Sequence, residues 1–156
     1  MVKNVQKQRF LLLIAVAAVL LIIIVGSLIF FNSPRNEAKN VIEDFYELEQ
    51  QSMYSKSWEL FHPYMKEKVP REDYIESRPH LFMNHLDATN FRYEMESLDK
   101  VKDFTFEEGA REIDVVYRTT VHQYFSGKYG NFIISKNVYA AEVEEEDNWY
   151  ILWDYS

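Results

Sequence analysis

"REIDVVYRTTVHQYF", Arg111–Phe125, decides the fold. Ile113, Val115, Tyr117, Thr119, Val121 and Phe125 recur on one face of an extended chain, with Asp114, Arg118, Thr120 and His122 on the other. A period of two in a stretch rich in β-branched residues predicts a long, half-buried strand rather than a helix. "SGKYGN" follows and supplies a turn through Gly127 and Gly130. "FIISKNVYAAEVEEE" is the next strand and "EEEDN", Glu144–Asn148, the next turn. "WYILWDY" then closes the sheet, with Trp149, Ile151 and Trp153 sharing the face on which helices would pack. Upstream, "FRYEMESL" also alternates, so the expectation from Asn90 onward is four antiparallel strands.

Before Asn90 the period is helical. Ser33-Pro34 places a hydroxyl cap before a proline at the first helical position. Ala38, Val41, Ile42, Phe45, Tyr46 and then Leu48 or Glu49 make one apolar stripe, predicting a helix to about Gln51. A second, shorter helix starts at Ser55 with Trp58 and Phe61 inward, and ends near His62-Pro63 because proline disfavours helix in the residue before it. A third starts around Pro70, carries Tyr74 and Ile75, and is kinked or ended by Pro79. "HLFMNHL" continues it as helix or turn. Three helices followed by four strands indicate an α+β domain, the helices packed on one face of a curved antiparallel sheet.

A different kind of segment precedes this domain. Phe10–Phe31, "FLLLIAVAAVLLIIIVGSLIFF", is 22 residues without a charge. A helix over that run is about 33 Å long at about 1.5 Å per residue, enough for a hydrocarbon core of about 30 Å. Leu28–Phe31 carries the run past Gly26 and Ser27, no A-x-A cleavage pattern follows, and the absence of cysteine excludes lipoprotein processing. An uncleaved anchor is therefore expected over a signal peptide. Lys3, Lys7 and Arg9 precede the run without an acid, which puts the N-terminus in the cytoplasm and the remainder outside. The expected division is a basic tail over 1–9, a membrane helix over 10–31, a short linker over 32–37 and an extracytoplasmic domain over 38–156. All 25 acidic residues follow the apolar run. That charge argues against nucleic acid and against docking on an anionic lipid surface. With no cysteine there are no disulfides, so the core alone must hold the domain.

Motifs for chemistry are sparse. "SLDK", Ser97–Lys100, matches the S-x-x-K of penicillin-reactive serine enzymes, but S-D-N and K-T-G partners are missing and the stretch ends a strand rather than starting a helix. His80 and His85 are five apart, which does not place them on one helical face for a metal, and no other pair among the four histidines has ligand spacing. No catalytic residue, metal site or cofactor is assigned. A cone enclosed by helices and curved sheet would be lined by Tyr46, Trp58, Tyr117 and Tyr139. These rings are expected to fill it as core; a hollow cone with a buried carboxylate would instead suit a small-molecule enzyme.

The order of helices and curved meander resembles the nuclear transport factor 2-like (cystatin-like) fold. More narrowly, it resembles the N-terminal domain of methicillin-resistance-type transpeptidases, which also follows a single membrane anchor. The similar stretches are "AKNVIEDFYELEQQSMYSKSWELF", "REDYIESR" and a closing W-x-I-x-W-D-x-S, here Trp149, Ile151, Trp153, Asp154 and Ser156. In that family the closing strand leads into a transpeptidase; here a free-standing copy of the domain is expected. The resemblance implies a single-pass protein of a Gram-positive-type cell membrane, a binding or scaffold domain linked to cell-wall synthesis or antibiotic response. Its partners would be the bilayer through residues 10–31, a membrane or cell-wall protein, or a second copy of the chain. Two other roles share this plan: an assembly subunit of a conjugation or secretion channel, and an isomerase or cyclase using the cone.

Overall fold

The computed structural model describes residues 2–31, 33–80, 90–107, 111–128, 130–143 and 145–153, with side chains in the first helix described over 11–27. The chain divides into two compact units, 1–36 and 37–156.

The first unit is built on one helix, α1 (Val2–Phe31), 30 residues without a break. Among the described residues no helix is long and apolar enough to cross a membrane. Leu11–Leu13 and Leu20–Ile24 expose half or more of their surface.

The second unit is α+β. Four helices lead: α2 (Pro34–Gln50, starting at the end of the first unit), α3 (Tyr54–Glu59), α4 (Pro63–Lys68) and α5 (Arg71–His80). Five strands follow: β1 (Phe91–Met95), β2 (Asp99–Phe104), β3 (Ile113–Gly127), β4 (Gly130–Val143) and β5 (Asn148–Trp153). They form one antiparallel sheet ordered β1-β3-β4-β5, with β2 also on β3. The α2 stripe is the expected one, Ala38, Val41, Ile42, Phe45 and Tyr46 all being buried, and Glu49 joins it. "HLFMNHL" beyond His80, and Asp154 to Ser156 of the closing motif, lie outside the described residues.

Three expectations need correction. Among the described residues four helices follow α1, because α4 forms as well, Pro63 at its first position supplying a preset φ and His62 Nδ1 accepting from the Tyr64 N–H at 3.2 Å as its cap. The expected strand "FRYEMESL" stops at Met95, and the chain resumes pairing as β2. Met95 faces Val121 and Asp99 faces Arg118, so three residues on one side oppose two on the other. That is a β-bulge, and it turns one edge strand into two. The sheet also buries residues on both faces. Opposed residues share a face, so Val116, Ala141 and Leu152, all fully buried, lie opposite the Tyr117, Ala140 and Ile151 layer.

The two hairpins agree with their turn chemistry. Gly127 pairs with Gly130 across two residues, and Gly130 has φ +116, which a side chain would resist. Asp147 turns the second hairpin at φ 49. The outer edge of β5 is covered as well. His62 N donates to Ile151 O at 2.9 Å and Ile151 N to Leu60 O at 2.8 Å, a one-residue parallel bridge between Phe61 and Ile151. This occupies donors and acceptors that a free edge would offer to another chain.

His62 gives the domain a pH dependence. Burial pushes its imidazole below the ordinary 6.5, and the cap needs a neutral Nδ1. The unfolded chain therefore takes up this proton first as pH falls. The stability is full above 6.5 and drains as pH drops through the lower folded value. His62→Asn, which keeps a cap acceptor without titrating, should flatten the fall in melting temperature below pH 6.5. An unchanged slope in that variant would show that His62 does not carry it.

Candidate functional site

The four aromatic residues expected to line a cone do not converge. Tyr46, on α2, is 1% exposed and packs edge-on against Phe45 (5.3 Å between centroids) and tilted on Tyr93 (5.3 Å). Tyr117, on β3, is buried against Trp149 at 5.6 Å. Trp58 is half-buried on α3; its indole N–H donates to Val69 O at 2.8 Å and its ring carries the Lys66 ammonium at 5.2 Å. Tyr139 shares its face with Arg118 and Leu152, the face opposite Tyr117, and lies 4.6 Å from the Phe104 ring. From there rings continue through Phe106 to Tyr64 on α4.

Trp149, Ile151 and Trp153 alternate along β5 and are all buried. Trp153 is the hub. Its ring meets Phe45 at 5.2 Å and Phe61 at 5.1 Å, both edge-on, with the Arg78 guanidinium 5.0 Å from its centroid. Its indole N–H finds no acceptor in hydrogen-bond geometry, although it stands near enough to Tyr46 to temper that hydroxyl.

Beside Trp153 is a group the sequence reading did not single out. Glu49, on the apolar stripe of α2, has a side chain with no exposed surface, and three side chains from α3 and α5 converge on it. Ser57 on α3 donates to Oε1 at 2.5 Å and Tyr74 on α5 donates to the same oxygen at 2.8 Å. Arg78, one turn after Tyr74, donates from Nε to Oε2 at 2.8 Å and from Nη2 to the same atom. The guanidinium lies over the Tyr74 ring at 5.6 Å as well as over Trp153. Burial opposes the Arg78 charge, but the carboxylate against it outweighs this and holds the group above its ordinary value. Burial pushes the Tyr74 phenol well up, and likewise Tyr46. Arg78 therefore stays charged, and the Tyr74 and Tyr46 hydroxyls stay protonated, at neutral pH.

Chemically this is a closed network. A carboxylate offers about four lone-pair sites, and four donors occupy them. A general base needs a free lone pair directed at substrate. The network instead ties α2, α3 and α5 together under the closing strand, as buried charge does when it is fully hydrogen-bonded.

Ser97 lies in the bulge and Lys100 on β2, both exposed, and neither is among the partners of Glu49. Among the described residues no group of three or more His, Asp or Glu could hold a metal ion; His85 lies outside them. His62 caps α4, and His122 stands on the polar sheet face.

No protein-family model matches this chain, and no curated protein sequence does.

Proposed function

We propose that this chain is a single-pass membrane protein. Its α1 is the anchor, and its second unit is an extracytoplasmic binding or scaffold module of the nuclear transport factor 2-like type. The observation that carries the scaffold role is the Glu49 network. Among the described residues Glu49 is the one buried carboxylate, and its oxygens are committed to Ser57, Tyr74 and Arg78, so the centre of the domain holds shape rather than performing acid–base chemistry. The uninterrupted helix over Val2–Phe31 and its charge-free run support the anchor, and Lys3, Lys7 and Arg9 support its orientation. The acidic surface keeps such a domain soluble beside a membrane and favours a protein partner over nucleic acid. The transpeptidase-like closing strand connects this role with cell-wall synthesis or antibiotic response in a Gram-positive-type cell.

A reporter fused after Ser156 tests the topology. An enzyme that folds only outside the cytoplasm should be active there, and activity of a cytoplasm-only reporter at the same position would reverse the orientation. The binding role predicts that photo-cross-linking from exposed positions of the domain in intact cells captures a discrete membrane or wall protein, or a second copy. Uniform absence of adducts at every position would remove it.

A further inference from the structure

The outer face of the β1–β3–β4 sheet carries a second polar array, separate from the Glu49 network. Ser135 on β4 and His122 on β3 are directly opposed in register, and Ser135 Oγ lies 2.7 Å from His122 Nδ1. The other ring nitrogen, Nε2, lies 3.2 Å from Glu96 Oε1. A hydroxyl, an imidazole and a carboxylate thus form one line from β4 across β3 to the bulge that follows β1. With the imidazole hydrogen on Nε2, the ring donates to Glu96 and its Nδ1 is the acceptor for the Ser135 hydroxyl.

Glu96 is not a loosely placed partner. It is the first residue of the bulge, and its backbone is held from both sides: its N–H donates to Thr120 O at 3.0 Å and its carbonyl accepts from Thr119 Oγ1 at 2.9 Å. Bulges re-aim side chains in this way. The hydrogen bond from His122 holds the Glu96 carboxyl below its usual range, so it is ionised at neutral pH. Next along β4 on the same face, Asn137 accepts from Thr120 Oγ1 through its Oδ1 at 3.4 Å, which turns its amide N–H groups away from Thr120. The line is open to solvent: the side chains of His122 and Glu96 are 29% and 58% exposed.

We propose that Ser135, His122 and Glu96 form an activated-serine site on the outer sheet face, reactive toward acyl esters borne on a substrate large enough to lie across an open strand surface. Ser135 Oγ attacks the acyl carbon while its proton passes to His122 Nδ1. Glu96 accepts the Nε2–H and stabilises the imidazolium. The ester's C–O bond breaks, the leaving alkoxide takes the proton back from Nδ1, and the acyl group remains on Ser135. Water, deprotonated by the same nitrogen, then releases it as a carboxylic acid. The Asn137 amide, two residues along β4 from Ser135 on the same face, is a side-chain donor for the tetrahedral oxyanion. Ser135 and His122 are the reacting residues; Glu96 is a positioning residue.

A fluorophosphonate probe on the full-length chain in detergent micelles tests this directly, because phosphonylation expels fluoride, sends the serine proton to His122 and leaves a mass tag. The expected result is one tag, on Ser135, lost in Ser135→Ala and in His122→Phe. In Glu96→Gln, labelling should slow by about tenfold or more with the melting temperature unchanged, a split that a purely structural cross-strand contact would not give. Absence of the tag on Ser135 in the wild-type chain, or labelling that survives His122→Phe at the wild-type rate, would overturn the proposal and leave the three residues as a hydrogen-bonded ladder.

Discussion

Trp153→Ala should lower the stability of the domain by about 3–5 kcal/mol, the usual cost of removing a large buried ring. Domains of this size have about 5–15 kcal/mol in all, so the loss is a large share of the total and should lower the melting temperature by roughly 10–20 °C. The reason is positional. Trp153 is the point at which β5 meets α2 through Phe45, the bridge segment through Phe61 and α5 through Arg78. No neighbouring side chain can fill the space from three directions. Tyr150, half-buried and with its hydroxyl at the exposed Glu146, should cost much less when cut to alanine. Thermal melting of a fragment covering 33–156 measures both. A Trp153→Ala variant that melts like the wild type would show that this ring is not part of the core.

The second large effect is expected at Arg78. Arg78→Met removes two donors from a carboxylate that has no exposed surface, leaving Glu49 with an uncompensated buried charge. Breaking a buried pair from one side typically costs about 3–5 kcal/mol. Glu49→Leu leaves the charge on Arg78, whose side chain keeps 13% of its surface exposed and can turn toward water, so it should cost less. The double variant should recover part of the Arg78→Met loss, since hydrophobic residues of similar volume often replace such pairs without penalty. A double-mutant cycle in urea gives the coupling. Additive losses would mean that the two side chains do not act as a pair.

The change of period at Asn90 made the α+β order legible, because half-buried strands and amphipathic helices print different repeats. What the sequence reading missed was set by distant partners or by charge. β2 reads "DKVKDF", and an edge strand with only Val101 and Phe104 partly buried carries too little apolar repeat to be seen. α4 is a single turn and a half between prolines, held by Met65 and by a cap from His62 rather than by a stripe. Glu49 fell at the ambiguous end of the first stripe, beside Leu48. A carboxylate there looks like a boundary until Arg78 is known to stand against it, and a pairing across 29 positions leaves no local periodicity. Tyr139 was placed on the wrong side for a related reason. A strand buried on both faces near its end shows no polar face by which to phase it.

The parallel bridge between Phe61 and Ile151 has a consequence for how the molecule is made. A ribosome delivers the helices long before β5, yet the segment at residues 60–62 is hydrogen-bonded to that last strand. Phe61 and Phe45 both rest on Trp153, so the helix layer has no floor until β5 is in place. Contacts between such remote positions are slow to form. Closure of the helix layer over the sheet is therefore timed by the arrival of β5 rather than by the helices themselves.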